Sequence, residues 1–417
     1  MSKPSLLFIT RVWPDFTGTG TAMRCGIMVE ALAAYYKVFL LVIPILGTPL
    51  IRKPSREMLG LCESVAEYSV EGREDTAYRR VNDASAPQAR LAAAAGSSKT
   101  WLGRFVTAET VRGANSLYAG VRFDAVHVFR LDMAPFATPH LEADPRRRPL
   151  RVLDLDEVES RTRRRLAALY ELNGETALAA FERVEADKYD RLEREYLPRF
   201  DEVWVASHTD REEASALCGA ARVLVVPNAV RLPECPPATK TAGTFTLFFV
   251  GAMAYYPNRD GVAYLCSQVV PRLRELAGRP FQVFVAGRDS DLVRDLAREP
   301  EVTVAGPVPD LAPYYAATDA VIVPLRAGGG SRIKILEAFS YQRPVVSTAV
   351  GAEGLNLRHE SEILLADSPE DLARCCAWVM EQPMRARAMA GRAYQWVRAN
   401  HSLETVQAVL RRRGGFE

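Results

Sequence analysis

The sequence predicts an α/β protein made of two doubly wound domains, each a parallel sheet covered by helices. Its 417 residues are too many for one ordinary core, which favours two domains of roughly 200 residues. Apolar runs alternate with helix-like stretches in both halves, as they do in βαβ units. A segment with three prolines and little to bury, residues 231–243, separates the halves and is the expected linker.

The first half begins with a strand, a glycine-containing loop, a helix and a second strand, which together form a βαβ unit. The predicted elements of this half are the strands Ser5–Thr10, Val38–Ile43, Ala125–Phe129, Arg151–Leu155, Glu202–Ala206 and Val223–Val226 and the helix Met23–Ala34. The composition of Glu157–Tyr196 indicates one or two long helices. The segment Glu71–Gly113 is compatible with helices or with a mobile flap.

The strand–helix alternation resumes after the linker, and ligands of such sheets bind beyond the carboxyl ends of the strands. The predicted strands are Leu247–Val250, Gln282–Ala286, Val302–Ala305, Ala320–Pro324 and Val345–Ser347. The predicted helices are Arg259–Leu276, Asp289–Arg298, Leu311–Ala317, Ser331–Tyr341, Pro369–Met380 and Met384–Ala399.

Composition excludes several classes of protein. The net charge of +2 argues against a dedicated nucleic-acid binder. The seven cysteines are odd in number and lack metal-ligand spacing, which favours free thiols in a reducing compartment. The first residues lack a signal-peptide pattern, and the run Val38–Leu46 is too short to span a bilayer, so we expect a cytoplasmic protein. Basic clusters such as Arg161–Arg165 are typical of solvated surface, and they leave open weak contact with a membrane surface or an anionic substrate.

The most informative stretch is Val321–Val346, in which a strand leads into three glycines, Gly328–Gly330, and then into a helix. Glycines at a helix N-terminus let backbone N–H groups approach an anion, and the helix dipole favours negative charge there. Arg332 and Lys334 add positive charge to this position. Glu337, about one and a half turns into the helix, is suited to accept hydrogen bonds from the vicinal hydroxyls of a ribose. Alternatively, the glycines simply precede a core helix, and Glu337 lies on its solvated edge.

This stretch resembles the donor-binding signature of GT-B glycosyltransferases, particularly glycosyltransferase family 4. Other matching segments follow in the expected order: Val226–Val230, Phe249–Gly251, Val285–Gly287, Val304–Val308, Arg343–Thr348 and the last helix, Trp396–Leu410. The resemblance implies two Rossmann-like domains that face each other across a cleft. It implies an acceptor-side domain in residues 1–230, the linker 231–243, a nucleotide-sugar-binding domain in residues 244–395, and a helix in residues 396–417 that crosses back to the first domain.

The resemblance also implies roles for individual residues. Glu337 would hold the donor ribose, and Arg332 and Lys334 would neutralise the diphosphate. Gly329 stands where the family has another Glu, so its usual contact with the donor sugar is missing. The remaining donor-binding positions that it implies are Gly330, Ser331, Gly251, Arg288, Val308, Gly18 and Gly20.

At the positions that the family uses for catalysis, this chain departs further from the family's pattern. Asp156 and Glu157 stand where the family has a His followed by an Asp. Asp156 is therefore a candidate for contact with the transferred sugar or the acceptor, although it would serve equally as a helix N-cap. His127, expected at the end of the preceding strand, is a second candidate, and a structural role for it stays open.

The implied function is sugar transfer, with retention, from a nucleoside diphosphate sugar to an unidentified small-molecule, lipid or glycan acceptor. No cofactor is expected beyond the nucleotide-sugar substrate. The Asp-x-Asp pair Asp154 and Asp156 belongs to the first half, away from the donor diphosphate, so we also expect no metal. Two alternatives remain open: a nucleotide-sugar epimerase, and a non-catalytic nucleotide-sugar-binding module, which the missing Glu and His make conceivable.

Overall fold

The computed structural model describes residues 3–45, 54–144, 146, 148–234, 243–308, 310–330 and 332–414. The chain divides into two compact units. The first comprises Met1–Pro227, Gly329–Ser331 and Val406–Glu417, and the second comprises Asn228–Gly328 and Arg332–Thr405. Residues 235–242 of the expected linker lie outside the described residues.

The first unit contains a seven-stranded parallel sheet with the strand order β3-β2-β1-β4-β5-β6-β7. The strands are β1 (Ser5–Thr10), β2 (Lys37–Val42), β3 (Cys62–Glu67), β4 (Ala125–Phe129), β5 (Leu150–Asp156), β6 (Glu202–Val205) and β7 (Val223–Val225). Strands β1, β4 and β5 are buried along nearly their whole length, as strands covered on both faces must be. The order reverses between β1 and β4, and their carboxyl ends form a topological switch point.

Helices cover this sheet, and the seventh and eighth of them pack against each other as a long hairpin. The helices are α1 (Gly20–Ala33), α2 (Arg56–Gly60), α3 (Thr76–Asp83), α4 (Pro87–Ala95), α5 (Ala108–Ser116), α6 (Thr138–Leu141), α7 (Glu159–Leu172), α8 (Thr176–Tyr196) and α9 (His208–Cys218), with short 3₁₀ turns at Leu102–Phe105, Leu131–Ala137, Leu197–Arg199 and Ala220–Arg222. The predicted helical stretch Glu157–Tyr196 is thus two helices, separated near Gly174, whose φ is +78°. The undecided segment Glu71–Gly113 is mainly helical.

The second unit contains a six-stranded parallel sheet with the order β10-β9-β8-β11-β12-β13. Its strands are β8 (Phe245–Val250), β9 (Phe281–Ala286), β10 (Val302–Gly306), β11 (Ala320–Val323), β12 (Val345–Ser347) and β13 (Leu364–Leu365). Its switch point lies between β8 and β11. The α/β class with two Rossmann-like parallel sheets, predicted from the sequence, is confirmed.

The helices of the second half are α10 (Tyr256–Tyr264), α11 (Val270–Leu276), α12 (Asp291–Arg294), α13 (Ala312–Ala317), α14 (Ile333–Ser340), α15 (Pro369–Glu381), α16 (Pro383–Asn400) and α17 (Leu403–Gly414), with a π-helical turn at Leu265–Val269. Helix α12 is shorter than the predicted Asp289–Arg298, and Asp289 itself has a φ of +57°, outside the right-handed helical region. From Val406 onward α17 groups with the first unit, in which Arg413 pairs with Glu202. Among the described residues, no helix combines the length and apolarity that crossing a membrane requires.

A buried ion pair joins three parts of the first unit. Arg24 of α1 and Asp154 of β5 have fully buried side chains, and Arg24 Nη2 lies 2.8 Å from Asp154 Oδ1. Arg24 Nη1 also donates to the carbonyl oxygen of Val226, just beyond β7, over 3.0 Å. The pair therefore fixes a helix and two separate strands of the sheet to one another.

We expect Arg24→Met to lower the free energy of unfolding by about 3–5 kcal/mol, because it leaves the Asp154 carboxylate buried without its main counter-charge. Urea unfolding measures this loss. The matched control is Arg294→Met, which removes the exposed pair with Asp291 (2.7 Å) and should cost at most about 1 kcal/mol. Equal losses in the two variants would show that burial does not set the strength of the Arg24 pair.

Candidate functional site

The carboxyl ends of β8 and β9 approach each other closely, and two glycines make this possible. Gly287 follows β9 and has a φ of +143°. A Cβ atom placed on it would lie 1.8 Å from the backbone oxygen of Gly251, which follows β8. Because real Cβ atoms do not come so near, residue 287 must be glycine for the two loops to meet as they do.

The loop between β11 and α14 also depends on glycine. Gly328 and Gly330 have φ values of +128° and +70°, a region that residues with side chains rarely adopt. Gly329, between them, has no positive φ, and Ser331 lies outside the described residues. Helix α14 begins at Ile333, two residues later than predicted, with Arg332 as its N-cap.

Lys334 lies in the first turn of α14, and its partners are neutral. Its Nζ donates a hydrogen bond to Asn258 Oδ1 over 2.7 Å and lies 4.6 Å from the centroid of the Phe249 ring. Burial, together with the nearby Arg332 guanidinium, lowers the pKa of Lys334 from 10.5 to about 7. An anion bound beside Nζ would reverse this shift, because a nearby negative charge favours the ammonium form.

Glu337 lies three residues after Lys334 and therefore on the same side of the helix. Its side chain is half-buried. Burial raises the pKa of Glu337 from 4.5 to about 7, although the Lys334 charge opposes the shift. Within the described part of the chain, no hydrogen bond reaches the carboxylate oxygens of Glu337, so they remain available to a ligand.

Arg332 differs from Lys334 in having charged and polar partners inside its own unit. Its guanidinium is buried, with Nη2 3.5 Å from Glu353 Oε2 and 3.4 Å from the carbonyl oxygen of Gly328. Arg332 therefore supports the glycine loop, whereas no carboxylate of the described residues is paired with Lys334 at contact distance.

The other sequence-predicted positions of the second unit lie along the same edge of its sheet. Arg288 is exposed just beyond β9, and its carbonyl oxygen accepts from the backbone N–H of Met253 over 2.9 Å. Val308 is half-buried just beyond β10. Sequence reasoning missed Asn258, the partner of Lys334. Its signal was available, because Pro257-Asn258 follows closely after a strand that ends in glycine.

In the first unit, Gly18 and Gly20 precede and begin α1. Gly18 has a φ of +108°, and Gly20 is the first residue of the helix. The side chain of Thr19 caps the helix by accepting from the backbone N–H of Ala22 over 3.3 Å. This turn follows β1, so both glycines lie in the connection that leaves the switch point of the first sheet.

Asp156 belongs to a buried charge cluster at the carboxyl ends of β4 and β5. Arg130 Nη1 lies 3.0 Å from Asp156 Oδ2, and Nη2 lies 2.7 Å from Glu157 Oε1 and 2.5 Å from Glu159 Oε1. Arg130 and Asp156 both adopt positive φ, +78° and +63°, and such strain at non-glycine residues is concentrated at functional sites. The suggestion that Asp156 caps the next helix is wrong, because α7 begins at Glu159 and its N-cap is Val158. Sequence reasoning missed Arg130, although it directly follows a buried strand.

His127 lies in the middle of β4, not at its end as the sequence indicated, because the strand continues to Phe129. Only 1% of His127 is exposed, and its ring stacks on Phe8 with centroids 4.6 Å apart. Its Nε2 lies 3.7 Å from Asp154 Oδ2. Burial lowers the pKa of His127 despite this carboxylate. The placement is that of a core histidine. Across the described residues, no group of three or more His, Cys, Asp or Glu side chains is arranged to hold a metal ion.

Residues 244–382, most of the second unit, match the family model described as "Glycosyl transferases group 1". Lys334, Glu337, Asn258 and Gly251 all fall within the matched residues. A comparison with curated proteins found no match.

Solved structures with the same fold cover nearly the whole chain. Sucrose-phosphate synthase from Thermosynechococcus elongatus is 16% identical, with a TM-score of 0.67 over 98% of both chains. HepE from Anabaena, solved with UDP and glucose, is 13% identical, with a TM-score of 0.62 over 99% of this chain and 100% of that one. TarM from S. aureus is 10% identical, with a TM-score of 0.64 over 97% and 99%. These similarities confirm the GT-B fold.

We expect Glu337→Gln to become more stable relative to wild type as pH rises. Burial raises the pKa of Glu337 from 4.5 to about 7, so its contribution to stability is present below pH 4.5 and is lost as pH rises through about 7. Glutamine cannot ionise. The difference in unfolding free energy should therefore change by on the order of 1–2 kcal/mol between about pH 5 and about pH 8.

Lys334→Met provides the control of opposite sign. The pKa of Lys334 is lowered from 10.5 to about 7, so the lysine destabilises the fold below about pH 7 and ceases to do so as pH rises towards 10.5. Wild type should gain stability relative to this variant over that range. Urea unfolding that gives the same difference at every pH, for either variant, would mean that the side chain is not desolvated in the folded protein.

Proposed function

We propose that the chain transfers a sugar from a nucleoside diphosphate sugar to an acceptor, with retention of configuration and without a metal ion. The observation that carries the proposal is the pair Lys334 and Glu337, half-buried on one side of α14, beside the switch point of the sheet and within the residues that match the group 1 glycosyltransferase model.

Glu337 is suited to the sugar of the nucleoside. Two carboxylate oxygens accept hydrogen bonds from two vicinal hydroxyls, and the charge strengthens those bonds. The absence of a described hydrogen bond to these oxygens supports this role, because a half-buried carboxylate without donors is unfavourable until a ligand supplies them. A ribose diol offers two donors at the right separation.

Lys334 is suited to the diphosphate. Its ammonium donates to the neutral Asn258 oxygen, and no described carboxylate lies at contact distance, so its charge is available to a phosphate oxygen. Arg332 is the weaker candidate, because it already lies near Glu353 and the Gly328 carbonyl oxygen. With Lys334 and the N–H groups at the start of α14 as counter-charge, the leaving diphosphate does not require a metal.

A uridine nucleotide is the first donor to test, because the HepE structures of the same fold contain UDP and UDP-glucose. In retaining transfer the bond to the leaving phosphate breaks through an oxocarbenium-like state, so charge on the diphosphate grows as the bond lengthens. Asp156, held by Arg130, is the candidate for contact on the acceptor side. Thermal shift with UDP, GDP and ADP, followed by assays with the matching sugars, tests the proposal, since a ligand that binds only the folded state raises its apparent stability.

We expect Glu337→Gln to weaken UDP binding roughly five- to thirty-fold, which is the loss of about 1–2 kcal/mol of charge assistance. Lys334→Ala should lower kcat more than it raises the KM for the donor, because the lysine contributes most when the diphosphate leaves. Arg332→Ala should act in the same direction but more weakly. Calorimetry and steady-state kinetics measure these changes, with Glu381→Gln, an exposed glutamate of the same unit, as the control. Wild-type binding and turnover in all three site variants would refute this assignment of the site.

Removal of divalent metal should leave the transfer rate unchanged, because Lys334 and the helix N–H groups supply the counter-charge. The measurement is turnover before and after treatment with EDTA, followed by addition of Mg²⁺ or Mn²⁺. A rate that falls on chelation and returns with either ion would place the diphosphate chemistry on a metal instead.

A further inference from the structure

We propose that Asn258 is a positioning residue that aims the Lys334 ammonium at the donor diphosphate. The inference rests on the proposed function and assigns to Asn258 a role that it performs through Lys334. An uncharged amide, rather than a carboxylate, holds Lys334, so the charge of the lysine stays available to the substrate.

Asn258 connects three elements of the second unit. It is the third residue of α10 and is 6% exposed. Its Nδ2 donates to the carbonyl oxygen of Ala252, just beyond β8, over 2.9 Å. Its Oδ1 accepts from Lys334 Nζ of α14 over 2.7 Å. One amide therefore links the loop after β8 to the helix that bears the proposed diphosphate ligand.

The orientation of this amide is fixed by its neighbours. Rotating it by half a turn would set its NH₂ group against the Lys334 ammonium and its oxygen against the Ala252 carbonyl oxygen, two donors together and two acceptors together. The side chain also lies directly against Gly251, where a Cβ atom would come within 2.7 Å of the amide. Gly251 is thus the residue that leaves room for Asn258. The glycine of the Phe249-Val250-Gly251 segment therefore has a steric role in addition to its position after a strand.

Asn258 leaves the lysine uncompensated, which an acidic residue would not do. The charged groups that act on Lys334 are Arg332, which lowers its pKa, and Glu337, which raises it. Asp260, on the same helix as Asn258, is paired with Arg326. A carboxylate at position 258 would form a permanent ion pair with Lys334 and repel an incoming diphosphate. The amide gives direction without charge.

The test compares Asn258→Asp and Asn258→Ala with wild type. In Asn258→Asp the ammonium form of Lys334 should persist to higher pH, and the midpoint of its pH-dependent reductive methylation should rise by about one unit or more. Peptide mass spectrometry follows the labelling, with the amine of Lys3 as internal reference. UDP affinity near neutral pH should fall about tenfold in both variants, the scale of one lost charge-assisted hydrogen bond. In Asn258→Ala, kcat should fall more than KM rises, because the lysine is present but no longer aimed.

The matched control is Asn115→Asp in the first unit, whose amide donates to the carbonyl oxygens of Val111 and Phe136 over 2.8 and 2.9 Å. It should lower stability without moving the Lys334 midpoint. An unchanged midpoint and unchanged UDP affinity in both Asn258 variants, with wild type binding UDP, would overturn the role of Asn258 alone. A shifted midpoint in a protein that binds no UDP, GDP or ADP would instead refute the proposed function, and the diphosphate role of Asn258 with it.

Discussion

The partial burial of a lysine and a glutamate on one side of a short helix is the constraint that sets the chemistry of the candidate site. Desolvation acts on Lys334 and Glu337 in opposite directions and brings both pKa values to about 7. Each charged form is therefore less stable in the folded protein than it is in water. Nearby, Tyr315 is fully buried and stacks on Tyr341 with centroids 4.6 Å apart, and the charge of Glu337 acts on both rings.

The first unit treats its buried charges differently. Arg24 and Arg130 each contact carboxylates within 3.0 Å, and these contacts tie strand ends to helices. Such pairs hold the fold in one geometry and do not need a ligand. Removing one partner would leave an unpaired charge in the interior. The contrast separates the two switch points: at the first the cations are paired with carboxylates, and at the second the Lys334 ammonium has a neutral amide as its hydrogen-bond partner.

Much of the fold was predictable because parallel strands that are buried on both faces have nearly continuous apolar sequences. Strands such as Ser5–Thr10 and Val345–Ser347 were predicted with the bounds that the structure gives them. Strand β3 was missed because it lies at the sheet edge and is only partly buried, so its sequence alternates weakly. The glycine loop before α14 was predictable because its backbone conformation requires glycine, and three consecutive glycines are visible in the sequence. The Asn258–Lys334 contact was not, because it joins residues 76 positions apart through the folding of the sheet.

The contact between the loops after β8 and β9 bears on how proteins with this arrangement can change. A Cβ on Gly287 would collide with the Gly251 backbone, and one on Gly251 would collide with Asn258. The three positions therefore depend on one another sterically. A side chain at Gly287 would displace Gly251, and a side chain at Gly251 would displace Asn258. Substitutions in these loops are therefore accommodated more readily at exposed neighbours, such as Arg288. A directed-evolution library for this domain gains most of its viable members by holding the two glycines fixed and varying the residues beside them.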